Sequence, residues 1–195
     1  MFKHVIFDLD NTIVALNVEW DSARKEVIEY IKQIGVRIES EEHFSLWEMP
    51  FRVPQFRKHK KEIDKIFEKW EIKAIEEGKP QKIGYAVELI EKINGKVMGI
   101  VSNNTHSTIE LILGNIGIRD KFKYVIGRDD TFEIKPLPGI VEMAIKKSGV
   151  PKEESLFVGD SRWDFIAGSS AGVPVFLMRN KEDAKTLEYI LNLTL

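Results

Sequence analysis

The hydrophobic positions of this chain follow two rhythms, and the change falls near residue 83. After an opening apolar run, Val5-Ile6-Phe7, the residues Trp20, Ala23, Val27, Ile31 and Ile34 recur at the spacing of one helix face, with Gly35 placed to end it. A second helical stretch carries Ile63, Ile66, Phe67, Trp70 and Ala74 and stops at Gly78-Lys79-Pro80. Residues 40–60 between them are rich in aromatic and basic side chains and broken by Pro50 and Pro54, which leaves room for a short helix. No strand-like alternation occurs between about 19 and 80, so residues 16–82 predict a small all-helical unit. From residue 83, helical stretches (86–93, 109–113, 140–145, a short one after Asp164, and one through Leu187 and Ile190) alternate with apolar runs at 97–101, 124–126, 155–158 and 173–177. That alternation predicts an α/β, doubly wound parallel sheet built from residues 1–15 and 83–195, with the helical block 16–82 inserted.

Composition narrows the picture. With 195 residues, 43% hydrophobic and 31% charged, the chain suits a core domain with a small accessory unit. A net charge of −2 argues against a general binder of nucleic acid or membrane surfaces. The absence of cysteine excludes disulfides, thiolate catalysis and Cys-ligated zinc. The apolar N-terminus meets Asp8 too early for a secretory signal, and no stretch approaches a membrane span, so a cytoplasmic location is the default expectation.

The chemistry gathers where apolar runs end. In Val5-Ile6-Phe7-Asp8-Leu9-Asp10-Asn11-Thr12 the two carboxylates lie two residues apart and so point the same way from an extended segment. One can attack phosphorus and form an aspartyl-phosphate, while the other protonates the departing oxygen. Alone, the string fits a strand ending in a polar turn with a helix cap equally well. Three later segments repeat the arrangement: 97–101 runs into Ser102-Asn103-Asn104, Phe132-Glu133-Ile134 into Lys135-Pro136-Leu137-Pro138-Gly139, and Leu156-Phe157-Val158 into Gly159-Asp160-Ser161-Arg162-Trp163-Asp164.

Taken in order, DxDNT, SN, KPxPG and GDSxxD resemble the haloacid dehalogenase superfamily, most closely its phosphoglycolate-phosphatase-like branch. The resemblance implies a Rossmann-like core with residues 16–82 as a helical cap, and hydrolysis of a small phosphomonoester. It implies Asp8, Asp10, Ser102 and Lys135 as catalytic residues, and Thr12, Ser102, Asn103 and Lys135 as substrate-binding ones. Two carboxylates cannot approach a phosphate without a cation. Mg²⁺ suits an all-oxygen site, with Asp8, the Asp10 carbonyl and Asp160 as implied ligands and Asp164 supporting the shell. Asp160 and Asp164 alone would also suit the acidic first turn of a helix. Lys135 supplies a compact positive charge to the nucleophile and to a phosphate oxygen. Members that cleave carbon–halogen bonds lack an acid at the position of Asp10, because a halide leaves without a proton. Asn11 departs from the glycine of many relatives, but Asn tolerates left-handed backbone geometry.

In the helical block, Trp20, Arg24, Trp47 and Arg52 can face a substrate or the block's own core. Arg52, beside Pro50 and Phe51, is the residue singled out for specificity. The block is expected to act as a lid hinged near Ala15 and Gly84. The run Arg57-Lys58-His59-Lys60-Lys61 reads as a solvated helix face, His4 as a strand residue, His43 and His59 as cap surface and His106 as a helix opener. The expected partner is a small phosphorylated metabolite, with no nucleic acid or membrane, and the chain a monomer or homodimer. A β-phosphoglucomutase-like phosphotransferase and a non-catalytic phosphate-binding or scaffold protein are the alternatives.

Overall fold

The computed structural model describes residues 1–38, 40–41 and 44–193. The opening apolar run becomes β1 (His4–Phe7), with all four side chains buried. It is the central strand of a five-stranded parallel sheet in the order β5 (Tyr124–Ile126), β4 (Val97–Val101), β1, β6 (Ser155–Gly159), β7 (Val175–Leu177). Val5 and Phe7 pack with Ile100, Leu156 and Val158 on one face, while Ile6 packs with Val101, Ile126 and Phe157 on the other. A sheet covered on both faces needs continuous apolar strands, which is why these runs show little alternation. Each fully buried Phe or Ile here contributes roughly 1.5–3 kcal/mol.

Helices α4 (Gly84–Lys92), α5 (His106–Ile116) and α8 (Lys181–Ile190) cover the first face, and α6 (Gly139–Ser148) and α7 (Arg162–Ser170) the second. The architecture is therefore the predicted doubly wound one. β4 and β6 flank β1 from opposite directions of the chain, so the switch in strand order, where open α/β sheets bind ligands, lies at the end of β1.

Three local expectations are corrected. Helix α7 starts at Arg162, which puts Asp164 in its first turn rather than ahead of it. The last strand begins at Val175 rather than 173, since Pro174 has no N–H for the ladder and offers only its carbonyl, to the Phe157 amide. Phe132-Glu133-Ile134 is not a strand: Phe132 is exposed beneath the Arg57 guanidinium, and Lys135 is carried by a loop well past β5.

Residues 20–76 hold α1 (Trp20–Gln33), α2 (Met49–Arg52) and α3 (Phe56–Glu76) around their own apolar cluster, which includes Ala23, Val27, Ile31, Ile63 and Phe67. Gly35, at φ +80°, ends the first helix as its position suggested. Among the described residues this block contains no strand. Its two crossings to the core are joined by a short antiparallel ladder, β2 (Val14–Ala15) with β3 (Gln81–Lys82), too brief to leave a periodic signal. Lys60 corrects the reading of the basic run: it is buried, in contact with Asp64, and donates to the Arg128 carbonyl at 2.6 Å. His59 is half-buried against the Tyr30 hydroxyl, His106 opens α5, and His43 lies outside the described residues.

Candidate active site

Parallel register brings the motif tips together. Phe7 pairs with Ile100 on one side and Val158 on the other, so Asp8, Ser102 and Asp160 leave the same edge of the sheet within one or two residues of each strand's end. The Asp8 amide donates to the Val158 carbonyl at 2.8 Å, which fixes the Asp8 backbone to β6. The chain then turns through Asn11, in the left-handed region at φ 59°, a geometry Asn accepts with little strain. That turn aims Asp10 back toward β2, where its Oδ1 accepts the Leu16 amide at 3.0 Å.

Lys135 connects the cluster. Its Nζ donates to Asp8 Oδ1 at 2.6 Å and to Asp164 Oδ1 at 2.5 Å, with all three side chains buried. The backbone carrying it is clamped by Asn103, whose side-chain amide donates to the Lys135 carbonyl at 2.9 Å and whose Oδ1 accepts the Lys135 N–H at 3.0 Å. Asp164 faces two ways. One oxygen holds Lys135, and the other accepts the Ser161 amide at 3.0 Å and hydroxyl at 2.5 Å, closing the capping box of α7. The helix-cap reading of this residue is thus realised, and its other oxygen joins it to Lys135. Gly159 makes the approach possible, because a Cβ there would lie 2.5 Å from Asp164 Cβ.

The charges perturb one another. Burial pushes Asp8 well above the usual carboxylate range, Lys135 pulls it down, and Asp164 and Asp160 add to the rise. Burial also lifts Asp10, to about 6, against the Leu16 hydrogen bond and with help from the negative charges of Asp160 and Glu71. Asp164 resists its own burial and stays below the usual range through Lys135 and Ser161. Lys135 is held above its ordinary value by Asp164 and Asp8, in spite of burial. Carboxylate oxygens of Asp8, Asp160 and Asp164 lie within 4.8 Å of one another. Three crowded carboxylates and a raised Asp8 call for more positive charge than one ammonium supplies, and an all-oxygen donor set of this kind fits a hard divalent cation.

The cluster floors a cavity of about 410 Å³. Asp8, Asp10, Ser102, Asn103, Lys135 and Asp160 line it from the core. Trp20, Arg24 and Trp47 line it from the helical block, and the two indoles also pack on Phe67, so they serve both surfaces at once. Two expected site residues are elsewhere. Thr12 is fully buried behind the loop and does not reach the cavity. Arg52, which α2 turns outward, pairs with Glu48 at 2.8 Å and is also absent from the lining, where Arg24 stands in its place. Asn104, passed over in the sequence, is buried at the cavity wall. Its Oδ1 accepts the Ser102 hydroxyl at 2.7 Å, and its Nδ2 has no hydrogen-bond partner among the described residues. Its place directly after Ser102-Asn103 was the available signal.

A parallel doubly wound sheet with an acidic cluster at its switch point and a helical insert after the first strand defines a class of α/β hydrolases. Residues 5–178 match the haloacid dehalogenase-like hydrolase family, and the chain belongs to it. It is 34% identical over 112 residues to a phosphoglycolate phosphatase of Yersinia pseudotuberculosis, covering 56% of this chain and 47% of that one. It is 33% identical over 108 residues to an (S)-2-haloacid dehalogenase of Pseudomonas putida, covering 52% and 48%. The chain thus spans about half the length of these relatives. A putative phosphoglycolate phosphatase structure from Lactobacillus plantarum shares the fold over 100% of both chains, with a TM-score of 0.71 at 18% identity.

Proposed function

We propose that this protein is a Mg²⁺-dependent phosphatase that hydrolyses a small phosphomonoester through an aspartyl-phosphate on Asp8. The observation that carries this reading is the convergence of Asp8, Asp10, Ser102 and Lys135 on one cavity, with Asp160 beside them. Asp8 attacks phosphorus, and Lys135, 2.6 Å away, balances the charge on the nucleophile and on the transferring group. Asp10, with a pKa near neutrality, gives a proton to the leaving oxygen and then takes one from the water that hydrolyses the intermediate. Ser102, its hydroxyl turned from Asn104 Oδ1, and the adjacent backbone amides donate to the phosphoryl oxygens. Asp8, the Asp10 carbonyl and Asp160 would hold the metal, with Asp164 supporting them. When bound, Mg²⁺ neutralises phosphate charge so that an anionic nucleophile can approach. The acid at position 10 favours a phosphatase over a dehalogenase, whose leaving halide needs no proton.

Phosphoglycolate, named in the relatives, heads the substrates to try. A cavity of about 410 Å³ with Arg24 in its lining suits a small metabolite with a second anionic group. Among the described residues no helix is long and apolar enough to cross a membrane, in keeping with a cytoplasmic enzyme. The test is phosphate release from a panel of phosphomonoesters with and without Mg²⁺, alongside Asp8→Asn. Metal-dependent turnover that falls by several orders of magnitude in a folded Asp8→Asn protein is expected. Near-native turnover in that variant would overturn the mechanism.

A further inference from the structure

The insert and the core meet through a buried polar junction that the chemistry above does not use. Glu71, on α3, is 1% exposed, and Arg128, just past β5, is fully buried. Arg128 Nη2 donates to Glu71 Oε1 at 2.8 Å while its guanidinium lies 4.0 Å from the centre of the Phe67 ring. The other Glu71 oxygen accepts the Thr105 amide at 3.1 Å and the hydroxyls of Thr108 at 2.7 Å and Thr105 at 3.3 Å. The Arg128 amide in turn donates to the Asn104 carbonyl at 2.8 Å. Both polar ends of the peptide group between Asn104 and Thr105 are therefore fixed, the carbonyl by Arg128 and the N–H by Glu71. Those two residues are ion-paired to each other.

This peptide closes the loop that presents Ser102 and Asn104 to the cavity, with the Ser102 hydroxyl bonded to Asn104 Oδ1. We propose that Glu71 is a positioning residue: through Thr105 and Arg128, the inserted helix sets the orientation of the loop that binds the transferring phosphoryl group. The proposal rests on the phosphatase reading for the role of Ser102. A carboxylate suits this task because it accepts from several donors at once, and burial leaves it no water as an alternative partner. A donor loop displaced by a fraction of an ångström weakens contacts made in the transition state more than those that hold the substrate. The loss is thus expected in kcat rather than KM.

The test is a cycle of Glu71→Ala, Ser102→Ala and the double variant, assayed on nitrophenyl phosphate with Mg²⁺ and joined to amide hydrogen exchange at Thr105. Glu71→Ala is expected to lower kcat by about tenfold or more, with KM within about twofold, and to speed exchange at Thr105. In the Ser102→Ala background the same change should cost less than about twofold. Glu71→Gln keeps the shape and one acceptor oxygen, so its kcat should fall between wild type and Glu71→Ala. It replaces Glu71→Ala in the cycle if that variant does not fold. An unchanged kcat in folded protein, an equal loss in both backgrounds, or unaltered Thr105 exchange would overturn the proposal. Wild-type protein without metal-dependent turnover, or a Ser102→Ala variant with full activity, would defeat the phosphatase reading instead. Thr105 exchange would still decide whether Glu71 holds the loop.

Discussion

Lys135 Nζ lies 2.6 Å from Asp8 Oδ1 although the two residues are 127 apart in sequence, and the same ammonium is shared with Asp164. The site therefore carries a buried ion cluster that is part of the fold as well as of the chemistry. Burying such charges costs several kcal/mol each, and the cluster persists because each partner offsets the other's desolvation.

Removing the shared cation should expose that balance. Lys135→Met keeps an unbranched stem but leaves buried carboxylates without it, and the loss expected for breaking a buried pair is about 3–5 kcal/mol. Urea unfolding in EDTA at neutral pH measures it. Protonation can relieve stranded carboxylates, so the deficit should shrink as the pH is lowered. A deficit below about 1 kcal/mol, or one that does not vary with pH, would mean that Lys135 is not holding the cluster together.

The role given to Asp10 predicts a defect that depends on the leaving group. Asp10→Asn should slow aspartyl-phosphate formation from an alkyl phosphate by about 10²–10⁴-fold, the usual range for a general acid. A nitrophenolate needs little protonation to depart, so formation from its ester should suffer less. Single-turnover rates for the two esters make the comparison. Equal losses would remove Asp10 from the acid role.

How much of this was readable in the chain follows from how local each signal is. A buried strand needs a run of apolar residues and the polar tip follows it directly, so Asp8, Ser102 and Asp160 could be located from their immediate neighbours. Asn11 was readable for the same reason, since its left-handed turn is a property of one residue. Lys135 was located by its motif but on the wrong support, because a loop fixed by Asn103 from another strand end leaves no local pattern. The burial of Lys60, and the pairing of Glu71 with Arg128 across 57 residues, depend on how the insert docks. Charged residues on an amphipathic helix read as solvent-facing until that partner surface is known. Arg128 carried a faint signal, a charge following an apolar run in the manner of the polar tips at Asp8 and Asp160. The preference for Arg52 over Arg24 failed because helix rotation, not composition, decides which arginine faces the cavity.

His4 gives the fold a pH dependence separate from catalysis. It is fully buried in β1, with Nδ1 2.8 Å from Ser155 Oγ and Nε2 2.6 Å from the Tyr124 hydroxyl. Ser155 Oγ also lies 3.0 Å from the Pro151 carbonyl and donates to it, so Nδ1–H donates to Ser155 and Nε2 accepts from Tyr124, a neutral ring. Burial, with Lys123 nearby, lowers its pKa from 6.5 to about 4. The unfolded chain therefore binds the proton more tightly, and stability is lost as the pH falls from 6.5 toward 4, by about 3 kcal/mol in full. Asp8 and Asp10, whose values are raised, act in the opposite sense over acidic pH. The His4 contribution is thus the difference in pH slope between wild type and His4→Gln in chemical denaturation. Identical slopes between pH 4 and 6.5 would show that His4 does not titrate as its burial demands.

Two of the insert's arginines, Arg24 and Arg52, offer a direct test of which wall reads the substrate. Arg24 lines the cavity beside Asp21, with which it pairs at 3.1 Å. A charge-assisted hydrogen bond from a guanidinium to a carboxylate or second phosphate is worth about 1.5–3 kcal/mol, or roughly 10–150-fold in affinity. Arg24→Ala should therefore raise KM by about that factor for a phosphomonoester that carries a second anionic group, such as phosphoglycolate. For nitrophenyl phosphate, which has none, the change should stay within about twofold. Arg52→Ala, on the outer side of α2 with Glu48, should leave both constants near wild type. The ratio of the two KM values in each variant is the measurement. If Arg24→Ala shifts both substrates equally, the arginine tunes the field of the whole cavity rather than recognising the distal group. The selective contacts would then have to come from the indole wall of Trp20 and Trp47.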